Sequence, residues 1–220
     1  MENRYVSRRW LLSLGAGIPL RLKSRDSSTG RPSADESLKA LMDGNQRFLL
    51  GKTSNPRRTP ADFSSVASHQ APDAVIIACS DSRVPPEILF DQGVGDLFVI
   101  RVAGNVVNEA EVGLIGSMTF AVLVLGAPLV MVVGHSNCGA VGAALQGNKG
   151  SLPASIGQLV GMVQTGGQKE LAQAIAANVR AGVAKVKDVE PNLRRLVQKN
   201  QLMVVGGVYD LTTGRVSLLS

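Results

Sequence analysis

The chain has 220 residues, of which 45% are hydrophobic and 18% are charged. This length is enough for one α/β domain with a well-buried core, and the composition excludes a disordered protein. The net charge of +6 could suggest an anionic partner, but the basic residues form no patch with aromatic side chains and no recognition motif accompanies them. We therefore expect a compact protein that binds no nucleic acid.

Residues 1–32 differ in composition from the rest of the chain. The motif S-R-R-W-L-L at residues 7–12 and the apolar stretch up to Leu20 resemble a twin-arginine export signal. This stretch is too short to span a bilayer as a helix, and no A-x-A cleavage site follows it. We expect an exported, periplasmic protein, with a basic disordered tail on a cytoplasmic protein as the alternative.

The folded part is expected to begin at Ser33 with a helix. Ser33 and Glu36 form a capping-box pattern, in which each side chain bonds to the other residue's backbone N–H. Apolar residues follow at helical spacing, so the sequence predicts an amphipathic helix. Asn55-Pro56 and Thr59-Pro60 indicate a loop after it.

Beyond this loop, apolar runs alternate with helical patterns. The runs predict buried strands over 74–78, 97–102, 129–133 and 202–208, with an edge strand over 216–219. Helices are predicted over 85–90, 108–125, 138–145 and 155–200. Asn108 and Gly126 are the expected ends of the second of these, and Pro191 restarts a helix in the last. The pattern predicts a single α/β domain over 33–220, with a mostly parallel central sheet of four strands plus an edge strand and helices on both faces.

Both cysteines and one of the two histidines lie at predicted strand ends. Cys79 directly follows the first strand, and His135 and Cys138 follow the third. Ligands of open α/β sheets bind outside the carboxyl ends of the strands, so these side chains meet if the two strands are neighbours. Thiolate and imidazole ligands are typical of zinc sites. The alternatives are a disulfide, which needs an oxidising compartment, and buried side chains without a metal.

Asp81 and Arg83 decide the type of metal site. Asp81 is close enough to Cys79 in sequence to become a fourth ligand, which would close the sphere as in a structural zinc site. Arg83 could instead hold Asp81 in a bidentate ion pair and leave the fourth position open. The residues alone leave both arrangements possible.

With these motifs assembled, the chain resembles the β-class carbonic anhydrases from about Ser33 to its last residue. The resemblance rests mainly on three stretches, namely C-S-D-S-R-V-P at 79–85, D-Q-G-x-G-D-L-F-V-x-R-x-A-G-N at 91–105 and G-H-x-x-C-G-A at 134–140. The stretches G-N-Q-R-F at 44–48 and G-V-Y-D-x-x-T-G at 207–214 agree with it.

The resemblance implies a zinc ion and a catalytic dyad formed by Asp81 and Arg83. The implied zinc ligands are Cys79, His135 and Cys138. Ile76 stands where bicarbonate-regulated members of the family carry Trp, which favours the open form with Asp81 off the metal.

The resemblance also implies a pocket and an assembly. Gln92 would hydrogen-bond bicarbonate or the transition state across a dimer interface. Gly104 and Asn105 would shape the pocket, and Gly139 would let the backbone approach the site. The family's dimer, or a higher oligomer built from dimers, is expected.

The implied activity is the reversible hydration of carbon dioxide to bicarbonate and a proton. Two alternatives stay open at this point. The same pocket could hydrolyse carbonyl sulfide or carbon disulfide, or a closed site including Asp81 could be a structural zinc in a non-catalytic binding module.

Overall fold

The computed structural model describes residues 30–64, 66–147 and 149–220. The twin-arginine motif and the apolar stretch after it lie outside the described residues, so export stays a prediction. Among the described helices, none combines the length and apolar character that a membrane crossing requires.

Five strands and eight α-helices alternate along the described chain. The strands are β1 (Ala74–Ala78), β2 (Leu97–Arg101), β3 (Leu129–His135), β4 (Met203–Tyr209) and β5 (Val216–Leu219). The helices are α1 (Ala34–Leu49), α2 (Pro60–Phe63), α3 (Pro86–Leu89), α4 (Val112–Leu123), α5 (Gly139–Gln146), α6 (Ala154–Met162), α7 (Leu171–Asp188) and α8 (Pro191–Gln198). Short 3-10 turns cover Ala103–Asn105 and Lys149–Ser151.

The strands form one sheet in the order β2-β1-β3-β4-β5. The first four are parallel, and β5 pairs antiparallel with β4 at the edge. This confirms the predicted mostly parallel sheet with an added edge strand.

Core residues cover both faces of the sheet. On one face, Val75 and Ile77 of β1 pack in a cluster with buried residues of α4, α7 and α8. On the other face, Ile76 packs in a cluster with Leu41 of α1 and Phe90 after α3. Because alternate side chains of a strand point to opposite faces, a strand covered on both sides must be apolar throughout, as β1 is.

Two of the helix predictions were wrong in part, one in its start and one in its continuity. Asn108 does not cap α4, which begins at Val112; its side-chain oxygen instead accepts a hydrogen bond from the Ala110 N–H at 2.9 Å and forms a turn. The region 155–200 is not helical throughout, because residues 163–170 separate α6 from α7. Gly166 and Gly167 both have positive φ there, a conformation that ends a helix.

The capping box of Ser33 and Glu36 is confirmed at the start of α1. Further along this helix, Asn45 is buried and donates to the carbonyl oxygens of Leu89 and Gly214 at 3.0 and 2.9 Å. Its Oδ1 accepts from the Val216 N–H at 2.9 Å. One side chain therefore ties α1 to α3 and to the start of β5.

Asp91, which lies just after α3, is also fully buried. It accepts hydrogen bonds from Arg47 Nε and from Ser54 and Asn55 backbone N–H groups at 2.7 to 2.9 Å. Burial raises the pKa of Asp91, but these donors outweigh it and hold the pKa well below its usual range. We call Asn45 and Asp91, with their partners, the α1 anchor.

Candidate metal centre

Strands β1 and β3 are direct neighbours, with Ala78 opposite Val133. This register brings Cys79, at the end of β1, beside His135, the last residue of β3, and Cys138. All three residues are buried, and their ligand atoms lie within 4.8 Å of one another. Both cysteines are free thiols, so the disulfide alternative was wrong.

His135 presents an unpaired nitrogen to this cluster. Its Nδ1 lies 2.9 Å from the Ser136 carbonyl oxygen, which can only accept, so Nδ1 carries the proton. Nε2 therefore has a lone pair, and it is buried without a hydrogen-bond partner in the described part of the chain. A buried unpaired nitrogen beside two thiols fits a metal ion, which would satisfy it.

The pKa values of the two thiols are shifted in opposite directions. The Cys138 thiol is the main cause of a lowered pKa of the Cys79 thiol; burial opposes this shift, and the Gly104 N–H, 3.2 Å from Cys79 Sγ, supports it. The hydrogen bond between the two thiols raises the pKa of Cys138, and burial raises it further. The first proton of the pair thus leaves easily and the second is held, as expected for coupled groups. A thiolate is the form that binds a metal.

Asp81 is paired with Arg83. Arg83 Nε donates to Asp81 Oδ1 at 2.9 Å and Nη2 donates to Oδ2 at 2.7 Å, so the pair is bidentate. Hydrogen bonding from Arg83 holds the pKa of Asp81 well below its usual range. Asp81 Oδ2 lies 3.8 Å from His135 Nε2, near the cluster but engaged by the guanidinium.

Arg101, which sequence reasoning missed, fastens the loop that carries Cys79 and Asp81. From the end of β2 it donates to the carbonyl oxygens of Cys79 and Asp81 at 3.1 and 2.5 Å. Its position in the R-x-A-G-N stretch was the available signal. Only the pairing of β2 with β1 reveals the contact.

The predicted pocket residues differ in their placement. Gly104, with φ of +72°, donates its N–H to Cys79, and a Cβ there would lie 3.1 Å from that of Ala140. Asn105, the next residue of the same turn, is also buried. A Cβ on Gly139 would meet nothing within 4 Å in the described chain, so packing here does not require that glycine.

Gln92 is held by a hydrogen bond within its own segment. Its Nε2 donates to the Phe90 carbonyl oxygen at 2.8 Å. Its side chain lines an open cavity of about 500 Å³ with Arg47, Ser54 and Asp91, and the three candidate metal ligands are not among the residues that line it. A role for Gln92 across a dimer interface stays a prediction.

Comparisons with known proteins identify the family of this chain. The family described as carbonic anhydrase matches residues 74–216. Carbonic anhydrase 2 of Mycobacterium tuberculosis is 37% identical over 196 residues, which cover 82% of this chain and 90% of that protein. A carbonic anhydrase of Pseudomonas aeruginosa is 36% identical, with 83% and 87% covered.

Solved structures give the same result. The β-carbonic anhydrase of Coccomyxa, solved with acetazolamide, is 28% identical with a TM-score of 0.63, covering 83% of this chain and 86% of that one. Tetrameric β-carbonic anhydrases of Sordaria macrospora share the fold, with 24% identity, a TM-score of 0.67, and 84% and 97% covered. The chain belongs to the β-class carbonic anhydrase family.

Proposed function

We propose that this protein catalyses the reversible hydration of carbon dioxide to bicarbonate and a proton. The observation that carries the proposal is the buried cluster of two thiols and an unpaired imidazole nitrogen within 4.8 Å. Its occurrence in a chain of the carbonic anhydrase family, whose relatives carry that name, supports the assignment.

Zinc is the proposed metal, with Cys79, His135 and Cys138 as its protein ligands. Two sulfurs and one nitrogen match the donors that zinc prefers. When bound, zinc supplies Lewis acidity, which makes water a nucleophile near neutral pH. The position of Asp81 in its pair with Arg83 supports an open fourth position.

Asp81 is the proposed acceptor for the attacking water. The bidentate pair with Arg83 keeps the carboxylate ionised and fixes its direction. An ionised carboxylate beside His135 can accept a hydrogen bond from the water and orient its lone pair toward carbon dioxide. Arg83 is therefore a positioning residue that acts through Asp81.

Apolar residues around the thiols suit the substrate. Val106, Val141 and Val163 are buried in one cluster with Cys79 and Cys138. Carbon dioxide has no dipole moment, so apolar side chains favour its binding over that of water. We propose that Gln92 of a second chain donates to a substrate oxygen as negative charge develops there.

The two histidines provide a matched test of the metal centre. His135→Ala should lose bound zinc and carbon dioxide hydration, because it removes a ligand. His69→Ala should keep one zinc per chain and wild-type activity, because His69 is exposed in a loop. Metal analysis and stopped-flow hydration assays measure both. Wild-type activity in zinc-free protein would refute the proposal, and faster turnover of carbonyl sulfide would favour the hydrolase alternative.

A homodimer, or an oligomer built from it, is the proposed assembly. Val112, Phe120 and Val124 are exposed at four- or eight-residue spacing along and just after α4, so they lie on one side of the helix. β2, beside this helix, is an edge strand. Light scattering of the purified protein should give at least twice the chain mass of 23.1 kDa. A monomer at micromolar concentration would contradict this assembly.

We also propose that residues 7–12 direct export of the protein. Arg8→Lys with Arg9→Lys should retain the protein in the cytoplasm of a bacterial host, whereas the wild-type chain should reach the periplasm. Equal fractionation of the two proteins would show that the motif is no export signal.

A further inference from the structure

Asn178 is a buried polar residue that the proposed chemistry does not use. It lies in α7 and is 4% exposed. Its Nδ2 donates to the Gly104 carbonyl oxygen at 2.8 Å, and its Oδ1 accepts from the Gln164 N–H at 2.9 Å. One side-chain amide thus joins α7 to the Ala103–Asn105 turn and to the segment after α6.

Close packing of α7 on the sheet fixes the position of Asn178. A Cβ on Gly134 would lie 2.6 Å from Val179 Cγ2, and one on Gly206 would lie 2.7 Å from Val179 Cγ1. Since neither glycine has a side chain, the helix approaches β3 and β4 closely. Asn178, which precedes Val179, is therefore held on a rigid element.

Gly104 is the residue that Asn178 restrains. Its N–H donates to Cys79 Sγ at 3.2 Å, and its backbone has a φ of +72°. Glycine rotates about its backbone bonds more freely than any other residue, so its N–H needs a second restraint to stay directed at the sulfur. The hydrogen bond from Asn178 to the carbonyl oxygen of the same residue supplies that restraint.

We propose that Asn178 is a positioning residue of the metal centre, which holds the Gly104 N–H on the Cys79 sulfur and thereby strengthens metal retention. The inference rests on the proposed zinc site. Hydrogen bonds to the ligands of a metal orient them, and loss of such a partner typically weakens metal binding about 10- to 100-fold. Asn178 acts one contact further out, so we expect about a tenfold effect.

Asn45 offers a matched control. It is 2% exposed and, like Asn178, joins a helix to distant backbone through its Nδ2 and Oδ1. Its partners belong to the α1 anchor and not to the metal centre. Replacement of either asparagine therefore removes similar hydrogen bonds, but only replacement of Asn178 releases Gly104.

The experiment compares Asn178→Ala with Asn45→Ala and the wild-type protein. The zinc dissociation constant is measured by competition with a chromogenic chelator, and cobalt(II)-substituted protein gives the thiolate-to-metal charge-transfer band. Asn178→Ala should bind zinc about tenfold more weakly and shift this band. Asn45→Ala should stay within about twofold of wild type with an unshifted band.

The outcomes separate this inference from the zinc site itself. Equal zinc affinities and spectra for the two alanine variants would overturn the role of Asn178, while failure of the wild-type protein to bind zinc would overturn the proposed function. If Asn178→Ala does not fold, Asn178→Ser and Asn45→Ser replace the pair, since a hydroxyl and a water molecule can restore part of the bonding.

Discussion

The α1 anchor and the metal centre both bury polar side chains, but they differ in whether those side chains are satisfied within the chain. In the anchor, both side-chain polar atoms of Asn45 and of Asp91 have hydrogen-bond partners. In the metal centre, His135 Nε2 has none in the described part of the chain. Satisfied polar groups stabilise a fold, whereas this unpaired nitrogen is available to a ligand.

An unpaired polar atom alone does not identify a site. The hydroxyls of Ser37 and Thr119 and the Nδ2 atom of Asn105 are also buried without partners in the described chain. What distinguishes His135 is that two thiols lie within 4.8 Å of it and of each other. The comparison predicts that substitutions in the metal centre affect activity and those in the anchor affect stability.

The largest expected effect is that of Cys138→Ser on activity. Loss of a proposed zinc ligand should lower the rate of carbon dioxide hydration at least about a thousandfold, equivalent to about 4 kcal/mol of transition-state stabilisation. The free energy of unfolding of the metal-free protein should change by less than about 1 kcal/mol, because serine nearly preserves the shape of the residue. Stopped-flow assays and urea unfolding measure the two quantities.

Asn45→Ala should show the opposite pattern, with a loss of stability and no loss of zinc. It should lower the free energy of unfolding by about 3 kcal/mol while the zinc content stays at one per chain, because it leaves buried partners unsatisfied. If Asn45→Ala lost zinc, or Cys138→Ser unfolded the metal-free chain, the two regions would not be separable.

Gly44→Ala should lower stability at least as much as Asn45→Ala. A Cβ on Gly44 would lie 1.7 Å from the Phe90 carbonyl oxygen, so α1 must move away from its partners. We expect a loss of about 3 kcal/mol or more in the free energy of unfolding. Gly161→Ala in α6 is the control, because its Cβ would meet nothing within 4 Å and alanine favours a helix. Equal stabilities of these two variants would show that α1 is not closely packed.

Asp91→Asn should give a smaller effect that depends on pH. The pKa of Asp91 is lower in the folded than in the unfolded chain, so its stabilisation is complete above its unfolded value of about 3.9 and is lost as the pH falls below it. Near pH 7 the variant should be about 1 to 3 kcal/mol less stable than wild type. Urea unfolding at several pH values should show this gap narrowing between about pH 5 and pH 3.

Asp43→Asn serves as the control for this pH series. Asp43 pairs with Lys39 on the surface of α1, with its side chain 52% exposed. An exposed pair of this kind contributes little to stability, so this substitution should change the free energy of unfolding by less than about 0.5 kcal/mol at every pH of the series. A gap for Asp91→Asn that stayed constant down to pH 3 would mean that the carboxylate charge does not stabilise the anchor.

Local features of the fold were predictable from sequence because neighbouring residues cause them. The capping box of Ser33 and Glu36 and the strand over 74–78 depend on residues that follow one another, and both were found with their observed bounds. The break between α6 and α7 also had a local signal in Gly166 and Gly167, which the helical pattern around it obscured.

Partners of the site that come from distant parts of the chain were not predictable. Arg101 lies 22 residues from the Cys79 carbonyl that it bonds, and Asn178 lies 74 residues from the Gly104 carbonyl, so spacing along the chain does not reveal either contact. The partner of Asp81 was undecided for a different reason. Both the metal site and Arg83 are within its reach, so only the fold selects between them.

The sequence by itself determined which donor atoms this protein has, since thiols and an imidazole at strand ends are chemical facts of the chain. The tertiary structure decided that these atoms share one site. Chain order does not fix the order of strands in a sheet, and the pairing of β1 with β3 brings Cys79 to His135 and Cys138. It also decided which polar groups stay unpaired, because a hydrogen-bond partner is a matter of position in space and not of spacing along the chain.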